Sequence, residues 1–143
     1  MQLKIIDKLA DLDANQWNAL NHNNSPFLRY EFLEALESCG CVGSHSGWNP
    51  RHMALYDNDC LVAAAPMYEK TNSFGEFIFD WTWANAYHRY GLPYYPKLVI
   101  AVPFTPATGP RLLISENIDR NTACDHLIQG AIAYAQKINA STV

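Results

Sequence analysis

Five of the chain's eight prolines, Pro93, Pro96, Pro103, Pro106 and Pro110, surround a single apolar run rich in β-branched residues, Leu98–Val102. Proline fixes φ and removes a backbone donor, so it is confined to strand ends and rigid loops. The stretch therefore predicts one strand, from about Lys97 to Val102, that stops at Pro103 and passes into a stiffened loop. Between Arg89 and Glu116 the only charges are Lys97 and Arg111, one on each side of that loop. Such a chain must set a rigid, nearly neutral segment against the end of a buried strand.

The other elements follow from periodicity and turn residues. Gln2–Ile6 reads as a first strand, and Asp13 opens a short helix that carries Trp17 and Leu20. In Ser25–Gly40 a serine N-cap, a proline at the first helical position and a closing glycine frame a helix. Its apolar face is Leu28, Phe32, Leu33 and Leu36, with Arg29, Glu31, Glu34 and Glu37 mostly opposite. Two extended runs around Asp57, Asn58 and Asp59 predict a hairpin whose second, nearly all-apolar arm is central. Glu76–Phe79 is expected as a strand, Trp83–Tyr90 as a helix and Arg111–Ile114 as a further strand. A long helix over Asp119–Asn139 is expected to bury Leu127, Ile128, Ala131, Ile132, Ala135 and Ile138. Strands and helices mixed in this way define an α+β class within one domain, residues 1–143.

Ten basic and fourteen acidic residues give a net charge of −4, which lacks the electrostatic footprint of a DNA-binding protein. No apolar run is long enough for a membrane span, and the start of the chain lacks the apolar core of a signal peptide, so a cytoplasmic location is expected. Cys39, Cys41, His45 and His52 match none of the common zinc spacings, and no metal site is expected.

Two pairs of residues carry chemical interest. Glu76 and Asp80 stand four apart in an aromatic-dense stretch beside Trp81, and paired carboxylates in such a place suit acid/base chemistry. Solvated carboxylates next to core aromatics are the commoner outcome. His88 is the reserve candidate for a base. If the strands at Lys97 and Arg111 adjoin, their two cations face a neutral cleft suited to a phosphate or carboxylate; otherwise both are ordinary surface side chains. Trp81, Tyr94, Tyr95 and Phe104 are available to stack on a ligand in that cleft.

The segments GWNPRHMALY, LVAAAPMYEK, SFGEFIFDW and above all YYPKLVIAVPFTPATGPRLL resemble the FemAB-like N-acyltransferases, bacterial relatives of the Fem aminoacyltransferases of peptidoglycan synthesis. The resemblance runs from about Trp17 to Val143. It implies a GNAT-like fold, a mixed and mainly antiparallel sheet flanked by helices, and transfer of an acyl or aminoacyl group to an amine. Direct attack by the amine needs no covalent enzyme intermediate. Asp80 or Glu76 is then the expected general base, and Lys97, Arg111, Trp81, Tyr94, Tyr95 and Phe104 the expected substrate-binding residues.

No tightly bound cofactor is implied. The donor is expected to be a small-molecule acyl carrier, an acyl-CoA or an aminoacyl-tRNA, although the glycine-rich pyrophosphate loop of acetyl-CoA enzymes is not evident and the acidic chain argues against tRNA without excluding it. A non-catalytic ligand-binding module with the same fold stands as the alternative, and a sugar-processing hydrolase as a third reading. Family members are longer, and Ser141–Val143 looks like a strand just beginning. The chain is therefore expected to be the N-terminal part of a longer architecture, incomplete at its C-terminal end, with the exposed edge of the Lys97–Val102 strand inviting a homodimer.

Overall fold

The computed structural model describes all 143 residues. Seven strands and four α-helices form an α+β fold with antiparallel sheets. The centre is a long hairpin. Its first arm comprises β2 (Trp48–Pro50) and β3 (His52–Asp57), its second β4 (Cys60–Ala65) and β5 (Met67–Lys70). Asn58 and Asp59 turn the chain with φ of 46° and 65°, the doubly positive geometry whose twist suits a two-residue hairpin loop. Pro66 interrupts the second arm, while Arg51 N–H bonds across to Met67 at 2.8 Å, so the ladder continues through a bend. One end of the hairpin joins β1 (Gln2–Ile6) and β7 (Leu113–Ile114) in the order β1-β3-β4-β7; the other joins β6 (Lys97–Ile100) in the order β2-β5-β6.

The bend separates two tasks. The four-stranded sheet is packed on both faces. On one side lie α1 (Ala14–Asn18), a 3₁₀ turn at Pro26–Leu28 and α2 (Tyr30–Ser38), which bury Trp17, Leu20, Leu28 and Leu33 against Ala54, Ala64 and Leu113. On the other lies α4 (Arg120–Lys137), whose Ala123, Leu127, Ala131 and Ala135 cover Met53, Leu55, Ala63 and Ala65. A bulge between Leu55 and Tyr56 shifts the register and lets Leu61 share the face of Ala64.

Several expectations are corrected. The helix expected from Ser25 begins as a 3₁₀ turn and becomes α-helical only at Tyr30. Glu37, expected on its outer face, turns inward and receives the Leu9 N–H at 2.9 Å while lying 2.7 Å from Nε2 of the fully buried His52. Ile128 and Ile132 are 48% and 41% exposed; the buried stripe of α4 is alanine-rich because the helix lies close to the sheet. A Cβ placed at Gly130 would stand 1.9 Å from Leu3 Cδ2. Residues 76–79 form no strand, and α3 (Trp81–Arg89) starts two residues before the expected helix. The strands bearing Lys97 and Leu113 belong to different sheets and do not adjoin. At the edge of β6, Leu98 N–H donates to Thr142 (2.9 Å) and Ser141 N–H to Pro96 (3.0 Å), so the chain's own residues occupy that part of the edge expected to pair with a second copy.

Close packing under α4 predicts opposite outcomes for neighbouring substitutions. Ala131→Leu overfills the interface and is expected to cost about 1–3 kcal/mol, whereas Ile128→Ala is expected to change stability by less than about 0.5 kcal/mol. Urea denaturation of the two variants checks this ranking; a larger loss at Ile128 would place the stripe elsewhere.

Candidate functional site

In the register of β5 and β6, Lys70 stands directly opposite Lys97. Lys70 is fully buried and Lys97 is 5% exposed. Directly opposed like charges destabilise an antiparallel pair, and buried charges require partners. The segment after β5 supplies them. Glu76 Oε2 accepts from Lys97 Nζ at 2.8 Å, and its other oxygen lies 3.9 Å from Lys70 Nζ. Lys97 also donates to Asp80 Oδ2, and Lys70 to the Phe74 carbonyl at 2.7 Å. Lys70 Nζ sits 4.0 Å over the Trp48 ring, a cation–π contact.

Asp80 is the hub of a second layer. Tyr94 OH donates to its Oδ2 at 2.6 Å, Ser73 Oγ donates to its Oδ1, and Ser73 in turn bonds the Tyr95 hydroxyl. Burial by itself would raise the Asp80 carboxyl. The hydrogen bonds from Lys97, Ser73 and Tyr94, with the Lys97 charge, outweigh burial and hold it at about 2. Burial pushes Lys70 down to about 8, against the pull of Glu76. For Lys97 burial acts in the same downward direction, but the bonds to Asp80 and Glu76 prevail and its pKa is raised. Burial, then the bond to Asp80, raise the Tyr94 hydroxyl.

Beside this network opens a cleft of about 350 Å³. Val99 and Ala101, which continue the Lys97 face of the strand, form part of its lining together with Trp48, Phe77, Ile78 and Val102. Glu76 lines it as well, and Thr105, Pro106 and Arg111 of the proline loop complete it. Glu76 Oε1 is shielded from solvent and has no hydrogen-bond partner. Gly75 is required here: its φ is +78°, and a Cβ would stand 2.4 Å from the Phe104 ring and 2.7 Å from Trp48 Nε1. That indole nitrogen donates to the Phe74 carbonyl at 3.0 Å.

The structure thus brings Glu76, Asp80, Lys97, Tyr94 and Tyr95 into one network. Arg111 is separate, exposed at the cleft and donating to the Gly109 carbonyl at 3.1 Å. The ion pairs of Lys97 with Glu76 and Asp80 offset its charge. Phe104 packs on Trp48, with ring centroids 5.5 Å apart, and Trp81 stacks on Phe79 at 4.7 Å, 55% exposed. His88 is exposed on α3. No group of three His, Cys, Asp or Glu side chains is placed to share a metal ion. Sequence reasoning missed Lys70, Ser73 and Trp48. The available signal was Lys70, a lone charge closing an otherwise apolar arm opposite the strand that starts at Lys97.

An α+β fold with an apolar cleft that carries Glu76 and Arg111 against its proline loop is one class of structure. The chain matches the FemAB-like family, described as peptidoglycan biosynthesis and recognition, over residues 8–143, and it belongs to that family. No curated protein and no solved structure matches it. No helix is long and apolar enough to cross a membrane.

The depressed carboxyl of Asp80 makes a signed prediction. The folded state holds the proton at Asp80 less tightly than the unfolded state, so its contribution is present above an ordinary carboxyl pKa of 3.8 and is lost as pH falls towards about 2. In Asp80→Asn, stability is expected to be lower at neutral pH and its decline between about pH 4 and pH 2 shallower than in the native chain. Denaturation midpoints across that range test it; parallel curves would remove Asp80 from the network's energetics.

Proposed function

We propose that this domain has a GNAT-like fold and transfers an acyl or aminoacyl group to an amine of a peptidoglycan precursor. Membership of the FemAB-like family supports the pathway. The observation that carries the chemistry is Glu76: Lys97 fixes one of its oxygens, and the other, 3.9 Å from Lys70 and shielded from solvent, makes no hydrogen bond. When the segment that carries Glu76 yields, an acceptor ammonium hydrogen-bonds to that oxygen and gives up a proton there. The free amine then attacks the donor carbonyl, the new C–N bond forms, and the donor's ester or thioester bond breaks as its oxygen or sulfur leaves with the proton shed by the attacking nitrogen. Asp80, with both oxygens engaged, positions Lys97 and the tyrosines. Lys70, 3.9 Å from Glu76 and donating to the Phe74 carbonyl, is a second cation beside this carboxylate. Arg111 receives the phosphate that acyl-CoA and aminoacyl-tRNA have in common.

One observation favours binding without transfer. A carboxylate ion-paired with Lys97 suits holding a cationic amine as well as taking its proton. Incubation with each donor and a precursor peptide bearing a free amine, followed by mass spectrometry of the peptide, separates the two. Transfer is expected, and Glu76→Gln is expected to slow it by about 10²–10⁴-fold. Arg111→Gln is expected to raise the donor KM and flatten its salt dependence. Peptide binding with no mass increase from either donor would establish the binding module instead.

A further inference from the structure

The segment after β5 is held by its polar residues and leaves its apolar ones outside. Phe77, Ile78 and Phe79 are three consecutive large side chains that all face out, with Ile78 88% exposed. Trp81, Trp83 and Tyr90 extend the surface along α3, a nine-residue helix that buries none of its residues. Isolated exposed apolar residues are ordinary, but a contiguous patch of this kind marks an interaction surface.

We propose that residues 74–92 dock this domain onto a bilayer containing anionic lipid. Charge placement favours that occupant. The charged residues from Thr71 to Ser115 are Glu76, Asp80, Arg89, Lys97 and Arg111. Glu76 and Asp80 turn inward onto Lys97, so the outward charges are Arg89, next to His88 in the last turn of α3, and Arg111. In a chain of net charge −4, the outward charges of this segment and of the proline loop are thus both cationic, and Arg111 shares the cleft with Phe77 and Ile78. Tryptophan and tyrosine favour the headgroup boundary, and basic residues beside them add attraction to anionic headgroups. Three successive outward side chains suit a fluid partner that conforms to them. Two-fold pairing with a second copy would instead set this patch against itself, with Arg89 and Arg111 of both copies in one interface. The helix lies in the interface plane and spans nothing. Phe77 and Ile78 also line the cleft, so docking brings the cleft to the lipid surface.

Sedimentation with vesicles of mixed phosphatidylcholine and phosphatidylglycerol tests the proposal, alongside vesicles of phosphatidylcholine alone. The native chain is expected to sediment with the mixed vesicles, less so as salt rises, and its tryptophan emission to shift to the blue. Two of the four tryptophans, Trp17 and Trp48, are buried already, so the shift reports Trp81 and Trp83. Ile78→Asp, at a solvent-facing site that leaves the core intact, is expected to weaken vesicle binding by at least about tenfold. Arg89→Glu is expected to weaken it on the mixed vesicles only. Absence of sedimentation at low salt, or equal binding by Ile78→Asp of unchanged circular dichroism, overturns the proposal. Light scattering that shows a dimer dispersed by Ile78→Asp would also overturn it, assigning the patch to a second copy.

Discussion

Two lysines placed directly across an antiparallel pair, both out of water, set the terms for the cleft end of this molecule. β5 and β6 cannot end that way unless negative charge arrives from elsewhere, because neither ammonium can reach bulk solvent. The ten residues after Lys70 exist in this arrangement to deliver it. Gly75 lets the chain turn beneath Phe104, Glu76 spans the two cations, and Asp80 closes on Lys97 at the start of α3. The same residues that neutralise the lysines therefore shape the cleft. Charge compensation and site construction are one event.

The proline block supplies the opposite wall. Where β6 ends, Ala101 N–H still bonds the Pro66 carbonyl at 3.2 Å, after which the chain leaves the sheet and lends Thr105 and Pro106 to the cleft. Pro66 does the corresponding work on the hairpin, since a residue with no donor marks the place where the ladder bends from the four-stranded to the three-stranded sheet. Backbone restriction, with no contribution from side-chain chemistry, thus fixes where the floor stops and the rim begins.

What could be read from the sequence was local. The hairpin turn at Asn58 and Asp59, the long C-terminal helix and the start of a strand at Lys97 follow from turn chemistry and periodicity, although that strand ends at Ile100, two residues short of the expected Val102. Packing distance was not readable. Isoleucines at 128 and 132 suit a buried stripe by hydrophobicity, but a helix close enough to exclude a Cβ at Gly130 buries alanines instead. The strand expected at 76–79 fails because Glu76 is committed to Lys97, a partner 21 residues away that no local pattern reveals. The site was half visible for the same reason. Its carboxylates, Lys97 and tyrosines lie in conspicuous stretches, whereas Lys70 gains meaning only from strand register.

The two walls of the cleft differ in what holds them. The β6 and proline-loop wall rests on buried apolar contact through Leu98 and Val102. The wall at 73–92 has no buried residue in its helix and is anchored by Trp48 and Lys70 on the Phe74 carbonyl, by Glu76 and Asp80 on Lys97, and by Ser73 and Tyr94 on Asp80. A segment with few apolar contacts and a polar anchor opens at lower free energy than the core does. Two of its anchors are ion pairs to Lys97, so that opening separates charges and leaves the apolar core intact. The molecule therefore combines a fixed floor with a wall that can yield, and the residue at their junction, Glu76, is the one with an oxygen that makes no hydrogen bond.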